Sequence, residues 1–218
     1  MPDLQVALPV GAAAFYVYDS LLLLFDNDVV FVKAGRKWAS MQGSDIVIMG
    51  KRLAAPGFMA PWAFVLRSSW SATGEPAPPT VLEPERMATV LSALLPLRIL
   101  CSLLLFLLVV GLPAAALSEA APLAMLIVFA AYYLLVVSGL VFLVLARRRL
   151  SLDGKALLLM VVDALACAPF AVNLVRKVTM HSLPLKDALA FSRSHCDADA
   201  YRRLSEQITR RRNAGAGE

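Results

Sequence analysis

LAMLIVFAAYYLLVVSGLVFLVLA, residues 123–146, runs for 24 residues without a charged side chain and is closed by Arg147-Arg148-Arg149. At 1.5 Å per residue a helix of this length reaches about 36 Å, longer than the roughly 30 Å hydrocarbon core of a bilayer. The segment therefore reads as a transmembrane helix, and the rest of the chain is organised around it.

Immediately upstream, Ser118 to Pro122 is a five-residue turn whose only charge is Glu119. Before it lies Ile99 to Leu117, uncharged after Arg98. Two long apolar helices joined by so short a turn form an antiparallel hairpin. The whole block is residues 87–117. Pro96 interrupts it, because proline removes a helix hydrogen bond and clashes with the preceding turn. Met87 to Leu95 is then expected as an interfacial lead-in. Gly139 and Ser138 would let helices approach closely, although no GxxxG pattern is present.

The N-terminal block, residues 4–25, contains Gln5 and Asp19 but is otherwise apolar, and its length suffices for a first transmembrane helix. No Lys or Arg precedes Lys33, so this block lacks the basic n-region of a signal peptide and is expected to stay in the mature protein. Residues 26–73 differ in kind. Charges are frequent, and the short apolar runs Val29–Lys33, Lys37–Met41, Asp45–Met49, Arg52–Ala55 and Trp62–Leu66 are separated by Gly and Pro. These are strand signals bounded by turn residues. They predict a small β-rich domain of four to five strands, with a hairpin at Ala34-Gly35-Arg36. Residues 74–86, with four prolines, read as a stiff linker.

Residues 156–175 form a fourth apolar block interrupted by Asp163, Pro169 and Asn173. It is open to three readings: a span, a re-entrant segment or an interfacial one. The basic tail, residues 176–218, carries two amphipathic stretches: Leu185, Ala188 and Leu189, then Tyr201, Leu204 and Ile208.

Basic residues favour the cytoplasmic side. Arg147–Arg149 and Lys155 are accordingly expected inside and Glu119 outside, which also puts the β-rich segment inside. A crossing by residues 156–175 would carry the tail's nine Lys and Arg outside. Asp163 at a helix centre would cost about 2.5–3.5 kcal/mol on insertion scales. The non-crossing reading is therefore favoured. Any re-entrant backbone must be covered by protein or water, since lipid cannot satisfy its polar groups.

The expected fold class is a mainly α-helical membrane protein: three to four transmembrane helices, a small β-rich cytoplasmic insertion and a helical C-terminal tail. Composition agrees, with 59% hydrophobic and only 17% charged residues and a net charge of +5. Soluble domains carry about 25% charged residues. Abundant Arg, Ala and Leu fit a GC-rich bacterial genome, hence an inner-membrane location. Basic stretches are not interleaved with stacking aromatics, which speaks against nucleic acid as a partner.

Asp19, Arg98 and Asp163 are the ionisable residues in or beside apolar blocks, all expected in the cytoplasmic leaflet. Intramembrane charges usually pair. They read as a structural clamp with Arg98 snorkelling, or as an ion or proton pathway, or as a polar contact with a partner. Arg202, Arg203, Arg210, Arg211 and Arg212 make a basic tail suited to anionic lipid or a protein partner, at roughly 1 kcal/mol per basic residue near the surface; the plainer alternative is a solvated helix end. Trp38, Trp62, Trp70, Phe58 and Phe64 suit either a membrane seat or a small core. His181, His195, Cys196, Asp197 and Asp199 are the one grouping with metal-ligand chemistry, but adjacent residues on a helix diverge. Cys101 and Cys167 read as small packing residues, and the three cysteines form no disulfide framework. No P-loop, GxGxxG, HExxH or GxSxG motif is present, so no catalytic residue, metal or cofactor is expected. The sequence reads as an accessory or scaffold subunit that presents its β-rich domain and tail to a partner, the alternative being a small transporter or channel component.

Overall fold

The computed structural model describes residues 2–35, 37–57, 59–69, 84–185 and 187–215. The protein is mostly helical with a small sheet region, and it divides into two compact units. The helical unit comprises Met1–Ser20, Phe58–Trp62 and Thr89–Ser182; the sheet unit comprises Leu21–Gly57, Ala63–Ala88 and Leu183–Glu218.

The first helix, α1, is Pro2–Ser20, shorter than the block expected to reach Phe25. Leu22–Leu24 is instead a strand, β1, paired with β5 (Lys51–Ala54). The run Leu21 to Leu24 carries no period that distinguishes a helix end from a buried strand, and β-pairing decides it.

Pro96 does more than interrupt the second block. Helix α2 (Pro84–Ala93) ends, and Pro96 occupies the first turn of a new helix, α3 (Leu95–Phe106), where its missing N–H is harmless. The axis continues through a π-helical turn at Leu107–Gly111 into α4 (Leu112–Ala116). After a short turn, α5 runs from Ala121 to Ala146. Among the described residues two helices are long and apolar enough to cross a membrane, Leu95–Ala116 and Ala121–Ala146. The expected three to four thus reduce to two on this criterion; α1, with its Asp and Gln, is not among them.

These two helices touch along a narrow seam. Leu97, Cys101, Leu104, Leu108 and Leu112 are buried on one side, and Met125, Tyr132, Val136, Leu140 and Leu143 on the other. The spacing of three and four places each set on one helix face. Gly139 lies in the seam, yet a Cβ there would meet Leu97 at 3.6 Å, an ordinary contact, so close approach does not require glycine.

Residues 156–175 do not form one helix. Helix α6 (Gly154–Ala166) stops at Cys167, whose backbone is extended; a 3-10 segment follows at Ala168–Asn173, then α7 (Leu174–Ser182). The irregular backbone is covered by protein: Ala171 and Val172 are fully buried. Tyr132 donates its hydroxyl to Ala168 O at 3.5 Å and the Cys101 thiol approaches Ala171 O at 3.5 Å. Carbonyls left over where the helix ends thus find donors from α5 and α3.

Among the described residues the sheet unit holds five strands within residues 26–73, where four to five are expected, and β1 ahead of them: β1 and β5 above, β2 (Asp28–Ala34), β3 (Lys37–Met41), β4 (Val47–Ile48) and β6 (Val65–Ser69). They make two antiparallel three-stranded sheets, ordered β1-β5-β4 and β3-β2-β6. The last strand lies later than expected, and Trp62 falls in a turn before it. The β2–β3 hairpin turns where the sequence predicts it, with Ala34 paired to Lys37. The β4–β5 hairpin turns at Met49-Gly50, both with positive φ (51° and 73°), as a two-residue turn of matching twist needs. Gly43 is required by space: a Cβ there would lie 2.2 Å from Arg52 Cβ.

The tail divides: residues 176–182 belong to the helical unit as part of α7, and from Leu183 on the chain belongs to the sheet unit. Helix α8 (Ala188–His195), capped by Asp187 accepting from Ala190 N at 2.9 Å, places Phe191 edge-on to Phe31 and Trp38, with ring centroids 4.9 and 5.4 Å away. Helix α9 (Ala198–Gly215) buries Leu204 and Ile208. Trp38 and Phe64 are buried core residues, Trp62 is exposed, and Phe58 and Trp70 lie outside the described residues, as does the linker through residue 83.

Candidate functional site: a polar clamp at the end of the first helix

Helix α1 ends in Asp19-Ser20, and the last carbonyls of a helix lack partners and carry partial negative charge. Arg176, at the start of α7, supplies what they need. Its Nη1 donates to Ser20 O at 2.5 Å and its Nη2 to Asp19 O, while the side chain is only 5% exposed. Burial pulls the Arg176 pKa down and the Asp19 charge pushes it back up. An arginine starts so high that it stays charged at neutral pH.

The Asp19 carboxylate is engaged on both oxygens. Lys177 Nζ lies 2.9 Å from Oδ1, and Asn173 Nδ2 donates to Oδ2 at 2.8 Å. The same Asn173 nitrogen donates to Ser20 Oγ at 3.2 Å, and Ser20 Oγ donates to Tyr16 O at 2.8 Å. Lys177 also reaches Asp163 on α6, at 3.5 Å, and sits 5.1 Å from the Phe170 ring centre. The side chains of Asp19 and Lys177 are nearly buried, and that of Asp163 is half exposed. Three segments are thereby tied at one point: the end of α1, α6, and the start of α7.

Asp19 and Asp163 are brought to one cation, and that cation is Lys177. Arg98 lines a separate hollow of about 310 Å³ with Trp62, Leu95, Ile99, Ser102 and Leu103. Sequence reasoning passed over Arg176 and Lys177. The available signal was Asn173, Arg176 and Lys177 at i, i+3 and i+4, which puts all three on one side of the turn leaving the apolar block.

In the sheet unit, Arg202 pairs with Asp199 at 3.0 Å and Arg203 Nε donates to Asp199 O at 3.3 Å; Arg210 is exposed, and the side chains of Arg211 and Arg212 lie outside the described residues. His195 stacks on Phe191 with centroids 4.4 Å apart, and Asp197 pairs with Lys37. Among the described residues no group of three or more His, Cys, Asp or Glu could hold a metal. Burial pushes the Cys196 thiol pKa up, away from a reactive thiolate. A polar hollow of about 420 Å³ is bounded by Gln42, Arg52, Arg203 and Gln207, and the Gln42 amide has no hydrogen-bond partner.

The clamp has the chemistry of a fastening. Each Asp19 oxygen already has a partner, Lys177 on one and Asn173 on the other, and these partners fix the carboxylate in place. Compared with known proteins, the chain matches no protein-family model, no curated protein and no solved structure.

Proposed function

We propose that the protein is a multi-pass accessory or scaffold subunit of the bacterial inner membrane. Its helical unit serves as the anchor, and its sheet unit, tail included, is presented in the cytoplasm to a partner protein or complex. The observation that carries this reading is the outward face of the long helices. Outside their shared seam, α3–α4 and α5 expose Ile99, Phe106, Leu126, Ile127, Leu134 and Leu145, the last 80% exposed. Soluble monomers rarely expose contiguous apolar patches beyond a few hundred Å². A helix apolar on all sides with one buried stripe is what lipid on the remaining sides would stabilise.

Helix α1 completes the anchor as a third span. Its 19 residues reach about 28 Å, and it too turns Val6, Val10 and Phe15 outward. Residues 156–175 then enter without crossing: α6 is only 13 residues long, and the 3-10 segment after it is sheltered by protein. Charge sets the orientation, with Glu119 outside and Arg147–Arg149, the sheet unit and the tail inside. Lipid and a protein partner, or a second copy, are the expected contacts.

The transporter reading has less support, because its carboxylates do not meet Arg98: Asp19 is held by Lys177 and Asn173 instead. The decisive experiment is extraction. The protein should resist alkaline washing of membranes and copurify with a defined partner in mild detergent. Release by alkali would refute the anchor; recovery of nothing but monomer would refute the scaffold.

A further inference from the structure

We infer that one face of the β1-β5-β4 sheet lies in the lipid interface, held there by Leu23, Phe25, Ile46 and Ile48. The inference rests on the membrane reading above, with α1 as a span.

The register defines the face. Directly paired residues point to the same side of a sheet, and successive residues alternate. Leu23 pairs with Leu53, and Leu53 N donates to Ile46 O at 3.0 Å, so these three share a side. Ile48 pairs with Lys51, whose ammonium lies 4.6 Å from the Phe25 ring centre, and this row falls on the same side. The opposite side holds Leu24 and Ala54, both buried, together with Arg52 and, on the outer strand, Val47, which is 56% exposed. Thus on β1 and β5 one side of the sheet is buried, while the other side leaves Leu23, Phe25, Ile46 and Ile48 between 40% and 58% exposed. Met49, at the hairpin tip, is 95% exposed.

Two features select lipid as the occupant. The first is chain reach. Leu23 is three residues past the end of α1, so extended chain carries it at most about 10 Å from Ser20. The headgroup region is roughly 5–8 Å deep on each side. Strand β1 is therefore tethered within about one headgroup-layer thickness of the end of α1, close enough for Leu23 and Phe25 to reach the interface. The second is charge. Among the described residues of this sheet, Lys51 is the ionic group on this side, a cation suited to anionic headgroups. The nearby carboxylates of Asp26 and Asp45 are engaged by Arg52, which points to the other side, at 2.8 and 3.7 Å. An apolar face with a single snorkelling cation suits a bilayer surface.

The test is a spin-label scan of the full chain in vesicles containing anionic phospholipid. Single cysteines replace Ile46, Val47 and Ile48 in a background with Cys101, Cys167 and Cys196 changed to alanine. A label at Leu134 on α5 serves as the reference for the span. Labels at 46 and 48 should collide with oxygen more readily than with a water-soluble nickel chelate, and the label at 47 should show the reverse. Should the cysteine-free chain fail to extract as one species, tryptophan at the same three positions in the native chain, read by brominated-lipid quenching, must show the same period of two. Water exposure at all three positions overturns the inference, as does protection from both reagents, the mark of a protein on this face. If Leu134 itself proved accessible to water, the membrane reading would fail instead.

Discussion

Replacing Arg176 with Met tests the clamp directly. Methionine keeps much of the side-chain bulk but removes both Nη donors, which now serve Ser20 O and Asp19 O. Hydrogen bonds from a charged group contribute about 1.5–3 kcal/mol each, and a buried acceptor left without its donor costs about 1–3 kcal/mol. These overlap rather than add, and breaking a buried charged network by removing one member costs about 3–5 kcal/mol in total. In a chain of this size each kcal/mol moves the melting temperature by about 2–4 °C, so a fall of about 10 °C is expected in detergent. The assay is thermal loss of the monodisperse peak, with proteolysis at the end of α1 as a local readout. Arg176→Lys should fall between, because it keeps the charge and loses the fork that spans two carbonyls. Asp163→Asn is the internal control: a half-exposed pair at 3.5 Å contributes only about 0.2–1 kcal/mol. If Arg176→Met melted within 2 °C of the parent, or Asp163→Asn were the worse of the two, the view of this cluster as the fastening of α1 would be wrong.

Three further outcomes follow from packing and burial. Gly43→Ala should destabilise the sheet unit by about 1–3 kcal/mol through overpacking against Arg52, whereas Gly139→Ala, with its nearest contact at 3.6 Å, should change melting little; equal effects would contradict the geometry. Ile208→Ala removes a buried side chain from α9 and should cost about 2–5 kcal/mol, read as faster proteolytic release of the tail; unchanged release would show that α9 does not dock. Cys196 should react slowly with a maleimide at pH 7–8. Burial raises its pKa, so less thiolate is present at a given pH, and the rate should keep climbing above the pH where an unhindered thiol levels off. A rate equal to that of a free thiol at pH 7.5 would refute that burial.

What the sequence made legible follows the range of the forces involved. The α3–α4/α5 hairpin was readable because a long uncharged run is a local property, and its turn is fixed by five residues. The hairpin at Gly35 was readable for the same reason: backbone that needs positive φ marks itself with glycine. Strand β1 was not. Leu22–Leu24 continues the apolar character of α1, and only its pairing with Lys51–Ala54, nearly thirty residues on, makes it a strand. The tail was legible in part. Leu204 and Ile208 sit at helical spacing and gave α9 correctly, but an amphipathic face does not say whether it meets lipid or protein; burial in the sheet unit decides for protein. This changes what Arg202, Arg203 and Arg210 can do, since a helix whose apolar side is already occupied reaches a membrane by charge alone. The clamp shows a further limit. Asp19 and Asp163 were conspicuous because charges in apolar blocks are expensive, and expense pointed to pairing. The partner it pointed to was Arg98, the nearest basic residue in an apolar block, whereas the cations that serve Asp19 are Arg176 and Lys177, more than 150 residues away along the chain. They looked like ordinary flanking charges until the break at Cys167 and the 3-10 segment brought them back to the end of α1. That irregular stretch, which on sequence grounds weakened the case for a fourth span, is what lets the first helix be fastened at its polar end.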